Sequence, residues 1–144
     1  MLPIEDVLGE VVCPAVREHP ILLLVLDGMS VAAFRQLLDD LVRRDWVELS
    51  HPKIGFPKPV AAALPAITEV SRWALLAGRL EEDRRSTEKF EFGRNQRLLE
   101  VLGSQSKPQL FVKTDLTAAG QLGLAPEVQT TILNRRNRVV AVGR

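Results

Sequence analysis

The run PILLLVL, from Pro20 to Leu26, is the longest strongly apolar stretch of the chain, and Asp27 and Gly28 follow it directly. Apolar residues without polar alternation are typical of a strand that is buried on both faces of a parallel sheet. Ser30 then precedes a segment whose apolar residues recur at helical spacing. A buried strand followed by a helix begins a β–α–β unit, so the sequence predicts an α/β fold.

The rest of the chain continues this alternation. Helices are expected in the first 19 residues, after Thr68, near Asn95–Leu102 and from Pro126, and further strands at Gln109–Lys113 and Arg138–Gly143. The last strand, RVVAVG, has the character of a central, buried strand. Residues 1–144 are therefore expected to form one domain, with a helical lead-in over 1–19 and a core over 20–144. That core should hold at least three strands in a mostly parallel sheet flanked by helices.

The amino-acid composition limits which kinds of binding partner and which cellular compartment are expected. A hydrophobic content of 46% supports a real core, and a net charge of +1 gives a nucleic-acid partner no support without excluding it. The single Cys13 excludes an internal disulfide and is expected to be a small apolar residue in a helix, in a reducing cytoplasm. No apolar run approaches the ~20 residues of a membrane span. No signal peptide is apparent, so a cytoplasmic protein without a membrane partner is predicted.

Two residues occupy positions at which α/β enzymes place their chemistry. Asp27 ends the first strand, where a carboxylate suits a divalent metal, although a turn aspartate is the commoner use. Thr68 opens a helix after a proline-rich loop, where a threonine can cap the helix or act as a nucleophile toward a bound phosphate. Arg72, one turn later, could contact phosphoryl oxygens, although an ion pair with Glu69 is an equally ordinary use.

The segments LLLVLDGMS and LPAITEVSRWALLAG together resemble the PglZ domain of bacterial BREX phage-defence systems, from about Pro20 onward. That family belongs to the alkaline phosphatase superfamily, so the resemblance implies a partial alkaline-phosphatase-like fold and metal-dependent hydrolysis of phosphate mono- or diesters. It implies Asp27 as a metal ligand and Thr68 as nucleophile and metal ligand, with two divalent ions (zinc, or magnesium or manganese). Ser71 and Arg72 would then contact the phosphate.

The chain departs from that pattern after Thr68. The superfamily's remaining ligands are Asp and His residues, yet both histidines, His19 and His51, precede Thr68 and are expected to be solvated. Asp115 is the only aspartate after Asp83, and one carboxylate cannot complete a two-metal site. The sequence therefore predicts the amino-terminal part of a PglZ-type domain with an incomplete active site and little activity alone. Its expected partners are the missing half of the domain or other BREX-type defence proteins.

Two other classes stay open. A receiver-like phosphoacceptor domain would use Asp27, Thr68 and Lys113 in this order, but it also needs an acidic pair after an earlier strand, and the acidic residues before Asp27 lie in a predicted helix. A non-catalytic interaction module, or a relic without function, is the other class. The basic stretch Asn134–Arg138 could touch nucleic acid, although a solvated loop is its more ordinary role.

Overall fold

The computed structural model describes residues 1–49, 59–81, 85–104, 106–117 and 123–143. The strands are β1 (Leu2–Pro3), β2 (Ile21–Val25), β3 (Val60–Ala61), β4 (Gln109–Phe111) and β5 (Val139–Gly143). The α-helices are α1 (Cys13–Glu18), α2 (Val31–Arg43), α3 (Thr68–Ala77), α4 (Glu88–Gly93), α5 (Gln96–Leu102), α6 (Lys113–Leu116) and α7 (Pro126–Leu133). The predicted α/β class is confirmed. None of the helices in the described ranges has the length and apolar character needed to cross a membrane.

The main sheet is parallel and has the strand order β2–β5–β4. Ala141 is the central residue of the register, with Leu23 of β2 on one side and Leu110 of β4 on the other. Every residue of β5 except Val142 is buried, so the predicted central position of the last strand is confirmed. A second, parallel pair joins β1 to β3.

The two faces of this sheet pack against different helices. The residues of the main core come from the helical lead-in, α3, α4, α5 and one sheet face: Leu8, Val12, Cys13, Val16, Val25, Leu76, Phe92, Leu98, Leu102, Leu110, Val139 and Ala141. On the opposite face, Val128 of α7 packs against Phe111 and Val140. Because side chains alternate along a strand, neighbouring residues of β5 belong to different clusters.

One face of β2 is open, so the prediction that this strand is buried on both faces is wrong. Leu22 is 42% exposed and Leu24 is 55% exposed, whereas Val25 belongs to the main core. The physical reason is that the cluster formed by α7 contains residues of β4 and β5 but none of β2. No residue of α2 is buried either, although this helix was expected to pack on the sheet.

An apolar groove of about 340 Å³ lies beside this open face. We call it the apolar groove; its lining is Leu24, Leu26, Met29, Ser30, Val31 and Phe34. It runs from the carboxyl end of β2 to the first turn of α2, and Ser30 caps that turn by accepting a hydrogen bond from Ala33 N at 3.1 Å. The groove therefore borders Asp27, which lies between Leu26 and Met29 in the chain.

The amino-terminal lead-in is helical, as predicted, but its path is irregular. A 3-10 turn (Ile4–Asp6), a π-helical turn (Leu8–Val12) and α1 follow one another. Val11 is exposed, although it has the same apolar character as its buried neighbours Leu8 and Val12. A π-turn places more residues in each turn than an α-helix does, and this shifts the buried side of the segment. Cys13 is buried in this helix as predicted, and desolvation raises the pKa of its thiol.

Candidate functional site

An ion pair joins the end of β2 to the beginning of α3. Asp27 lies two residues beyond the last residue of β2, and its Oδ2 accepts a hydrogen bond from Arg72 Nη1 at 2.5 Å. Arg72 stands about one turn after Thr68, the first residue of α3. The contact therefore brings the start of α3 to the carboxyl edge of the parallel sheet, which is the edge where ligands bind in open α/β folds.

Arg72 is held by a second carboxylate as well. Its Nε donates to Oε1 of Glu88, the first residue of α4, at 2.7 Å. The three side chains, which we call the Asp27–Arg72–Glu88 cluster, are at most 27% exposed. The hydrogen bond to Glu88, followed by the one to Asp27, raises the pKa of Arg72. The alternative ion pair with Glu69 is not formed, because the carboxylates that pair with Arg72 among the described residues are those of Asp27 and Glu88.

Thr68 does not cap α3, so that interpretation is also wrong. Ile67 is the N-cap, with extended backbone angles of φ −97° and ψ 135°, and no side chain bonds to the first-turn N–H groups. Thr68 is the first helical residue and is exposed, and its hydroxyl makes no hydrogen bond to any described residue. Ser71, in the same helix, is half-buried. Hence α3 presents first-turn N–H groups without an intrahelical partner beside a free hydroxyl.

The resemblance implies a two-metal site, which would need several metal-ligating side chains close to Asp27 and Thr68. Among the described side chains, no three His, Cys, Asp or Glu groups converge where an ion could sit. One oxygen of Asp27 is already bonded to Arg72. A divalent cation takes several oxygen or nitrogen ligands, so Asp27 and Thr68 alone do not fit such a centre. His51 lies outside the described residues, and His19 is an exposed residue at the end of α1.

Asp115, the only aspartate after Asp83, has a structural role in α6, which follows β4. It accepts hydrogen bonds from Lys89 Nζ at 2.6 Å and from the backbone N–H of Val112 at 2.7 Å. Burial alone would raise its pKa, but these two contacts outweigh burial, and the pKa is lowered. Asp115 thus stabilises the start of α6 and its link to α4.

Two residues of the receiver-like arrangement, Asp27 and Lys113, each follow a strand of the main sheet. Lys113 follows β4, whereas Asp27 follows β2, and β5 lies between these two strands. Two strand spacings place the backbones of these two strand ends about 10 Å apart. The acidic residue Asp6 of the lead-in lies near Arg97, with Oδ1 and Nη1 3.6 Å apart, and takes no part in the cluster at Asp27.

The basic stretch near the last strand divides into two parts. Arg135 and Arg136 are exposed. Arg138 is half-buried, and its Nη2 donates to the backbone oxygens of Val16 and Arg17 at the end of α1. The interpretation of Arg138 as a solvated loop residue is therefore wrong, because it caps the carbonyl groups of a helix terminus.

From the sequence, no role is predicted for Glu88 or for the neighbouring network around Glu91. Glu91 accepts hydrogen bonds from Ser86 Oγ and from Arg79 Nη1, the latter at 2.8 Å. A signal for α4 was present: Thr87 precedes a glutamate, and its hydroxyl caps the helix by accepting from Phe90 N at 3.3 Å.

Acid is expected to destabilise the fold partly through Glu91. The Ser86 hydroxyl, followed by Arg79, lowers its pKa from an ordinary value of 4.5. A lowered folded-state pKa stabilises the protein above the unfolded-state value, and this contribution is lost as the pH falls through the folded-state value. In urea unfolding between about pH 6 and pH 3, Glu91→Gln should flatten the loss of stability. Glu127→Gln, at an exposed position, should retain the wild-type slope; equal slopes for all three proteins would contradict the assignment.

The exposed Thr68, the Asp27–Arg72–Glu88 cluster and the apolar groove thus adjoin one another at the carboxyl end of β2. Such an edge, with a hydroxyl, a guanidinium and first-turn N–H groups, has the donors that an anionic ester needs. No family model, no curated protein and no solved structure matches this chain.

Proposed function

We propose that this chain carries the phosphoryl-accepting part of a PglZ-type phosphoric ester hydrolase domain of a bacterial phage-defence (BREX) system. The observation that carries the proposal is the ion pair between Asp27 and Arg72, since it brings the first turns of α3 to the carboxyl edge of the sheet. The resemblance of the two segments around Asp27 and Thr68 supplies the family. The proposal does not require that the chain turn over an ester by itself.

The residues at this edge would each make a different contact with the phosphoryl group. The first-turn N–H groups of α3 would hold phosphoryl oxygens, and the Nη2 donors of Arg72, which the cluster leaves unused, would hold another. Ser71 would add a contact from the same helix. Thr68 Oγ1 would form the new bond to phosphorus as the ester P–O bond breaks, and its proton would pass to the departing alkoxide. Metal chemistry would require ligands other than those described.

A second polypeptide is proposed to supply those ligands by docking on the apolar groove. The groove ends beside Asp27, so a segment seated there arrives next to the carboxylate that the resemblance assigns to the metal. The open face of β2, with Leu22 and Leu24, continues the apolar surface away from the site. Large exposed apolar patches of this kind mark interaction sites in folded proteins.

Phosphate binding tests the first part of the proposal. Inorganic phosphate added to the ¹⁵N-labelled chain should shift the backbone amide signals of Thr68 to Arg72 in a saturable way. Thr68→Ala should weaken this binding several-fold, by about 1 kcal/mol, since one hydrogen bond is lost. Thr130→Ala, at an exposed position on α7, is the matched control and should bind as the wild type does. If the amide signals at the start of α3 do not change on addition of phosphate, the proposed phosphate site is contradicted.

Reconstitution tests the second part. The chain should be co-expressed with the polypeptide encoded beside it, and hydrolysis of bis-p-nitrophenyl phosphate measured with Zn²⁺, Mg²⁺ or Mn²⁺. Activity is expected only for the pair, and it should be lost with Thr68→Ala and with Leu24→Glu. Leu133→Glu alters an even more exposed leucine on α7 and should leave activity intact. Metal-dependent turnover by the chain alone would overturn the need for a partner. An intact complex without turnover would favour the interaction module.

A further inference from the structure

A second candidate site lies at the opposite end of α3. There a cleft of about 490 Å³ opens between the end of this helix and the segment that joins α4 to α5. Its volume falls in the range of about 300–1,000 Å³ that is common for small-molecule sites. We call it the arginine cleft, because Arg79, Arg94 and Arg97 line it. With ten residues in α3, it lies about 15 Å from Thr68, and the proposed function does not use it.

The charges on its wall favour an anion. Glu91 is the one carboxylate among the lining residues, and it is already bonded to Ser86 Oγ and to Arg79 Nη1. Arg79 also donates from Nη2 to Glu81 at 3.0 Å. These two carboxylates balance the charge of Arg79, so the net positive charge of the wall comes from Arg94 and Arg97. The contacts with Ser86 and Arg79 lower the pKa of the Glu91 carboxyl group, and they occupy both of its oxygens.

The other two arginines can offer their donors to a ligand. Arg94 lies over the ring of Phe90, with 5.0 Å between the guanidinium carbon and the ring centroid, and it has no carboxylate partner in the described part of the chain. Arg97 Nη1 is 3.6 Å from Asp6 Oδ1, which is beyond hydrogen-bond length. Both arginine side chains are exposed, so they can turn toward the cleft without disturbing the core. Gln96 adds a neutral amide to the same wall.

We propose that the arginine cleft binds the diphosphate group of a small molecule. A guanidinium donates two parallel hydrogen bonds to a phosphate, and two neighbouring guanidinium groups match two linked phosphates. A single carboxylate would use only one of them. Phe90 also lines the cleft and is exposed, and it offers an apolar surface to the rest of an organic ligand. Binding would draw Arg97 away from its 3.6 Å contact with Asp6 and from its packing over Gly9.

Titration of the ¹⁵N-labelled full chain tests the proposal, with inorganic pyrophosphate, ADP or sulfate at matched ionic strength. Pyrophosphate is expected to shift the amides of Gly78 and of residues 94–97 in a saturable way. Arg94→Gln and Arg97→Gln should each raise Kd about tenfold, as for the loss of charge-assisted hydrogen bonds. Arg135→Gln and Arg136→Gln remove the same charge from exposed positions elsewhere and should leave Kd within about twofold.

Comparing the three ligands shows which chemical group the cleft recognises. Tighter binding of ADP than of pyrophosphate would identify a nucleotide as the source of the diphosphate, and equal binding would identify the diphosphate alone. The proposal is overturned if no saturable shift appears up to about 10 mM pyrophosphate, an affinity too weak for a built site. It is equally overturned if sulfate binds as well as pyrophosphate, or if the control variants lose as much affinity. The amides of Thr68 to Arg72 report the other site in the same spectra.

Discussion

Replacing Phe92 with alanine is expected to lower the free energy of unfolding by about 3–5 kcal/mol, the range for large aromatic residues removed from a core. Phe92 is the largest fully buried side chain in the described part of the protein, with 0% exposure, and it joins α4 to the main core. A typical domain is stable by only about 5–15 kcal/mol, so this change removes a large share of the total. Equilibrium unfolding in urea, followed by circular dichroism, measures it.

Phe90→Ala is the matched control for that experiment. Phe90 stands two residues earlier on the same helix but is 51% exposed, and its ring contacts only the Arg94 guanidinium among the described aromatic and cation contacts. Its loss should cost about 0.5–1 kcal/mol. Equal losses for Phe90→Ala and Phe92→Ala would mean that α4 does not pack as described.

Arg72→Met is expected to lower the free energy of unfolding by about 1–3 kcal/mol, because it leaves two half-buried carboxylates without their cation. Asp27 and Glu88 would then face each other across the space that the guanidinium occupied. Asp27→Asn introduced into the Arg72→Met protein should restore part of the loss, since one of the two charges is removed. This non-additivity, measured by urea unfolding of the single and double variants, identifies a coupled cluster.

The control for Arg72 is an arginine in an exposed pair. Arg44 Nε bonds to Asp40 Oδ2 at 2.8 Å within α2, and both side chains are exposed. Arg44→Met should cost no more than about 0.5 kcal/mol, the usual value for such pairs. If Arg72→Met costs no more than Arg44→Met, the Asp27–Arg72–Glu88 cluster does not join the three elements as proposed.

The elements that the sequence predicted well are those with local signals. Ser30 caps α2 by accepting from Ala33 N, and Asn95 caps α5 by accepting from Leu98 N. Gly78 ends α3 with φ of 70°, a backbone angle that glycine adopts without strain. Each signal acts within about one helical turn, so no knowledge of the tertiary fold is needed to read it.

The open face of β2 could not be predicted, because burial depends on elements that are distant in the chain. Leu22 and Leu24 have the same character as Leu23, which packs on the main core. Whether their face is covered is decided by α7, which begins only at Pro126. A continuous apolar run contains no alternation that would distinguish the two faces. Hence the strand and its parallel pairing were predictable, while its exposure was not.

The candidate site was predictable in its positions but not in its contacts. The end of a predicted strand identifies Asp27 and the start of a predicted helix identifies Thr68, because local sequence patterns show where these elements end and begin. The Asp27–Arg72 bond joins residues 45 positions apart, and although Thr87 marks Glu88 as the start of a helix, no local pattern shows that Glu88 contacts Arg72. The N-cap position also depends on one backbone residue, Ile67, whose extended angles place Thr68 inside the helix.

Chemical modification of Cys13 reports how often the main core opens. It is the one cysteine of the chain, its exposure is 6%, and desolvation holds the pKa of its thiol above the ordinary value. An alkylating reagent therefore reaches a reactive thiolate only in molecules whose lead-in helix has separated from α5. The labelling rate at low reagent concentration then measures the equilibrium for this opening, and at high concentration it measures the opening rate itself. In a cell exposed to oxidants, modified Cys13 would mark the molecules that had opened, while closed molecules keep a reduced thiol.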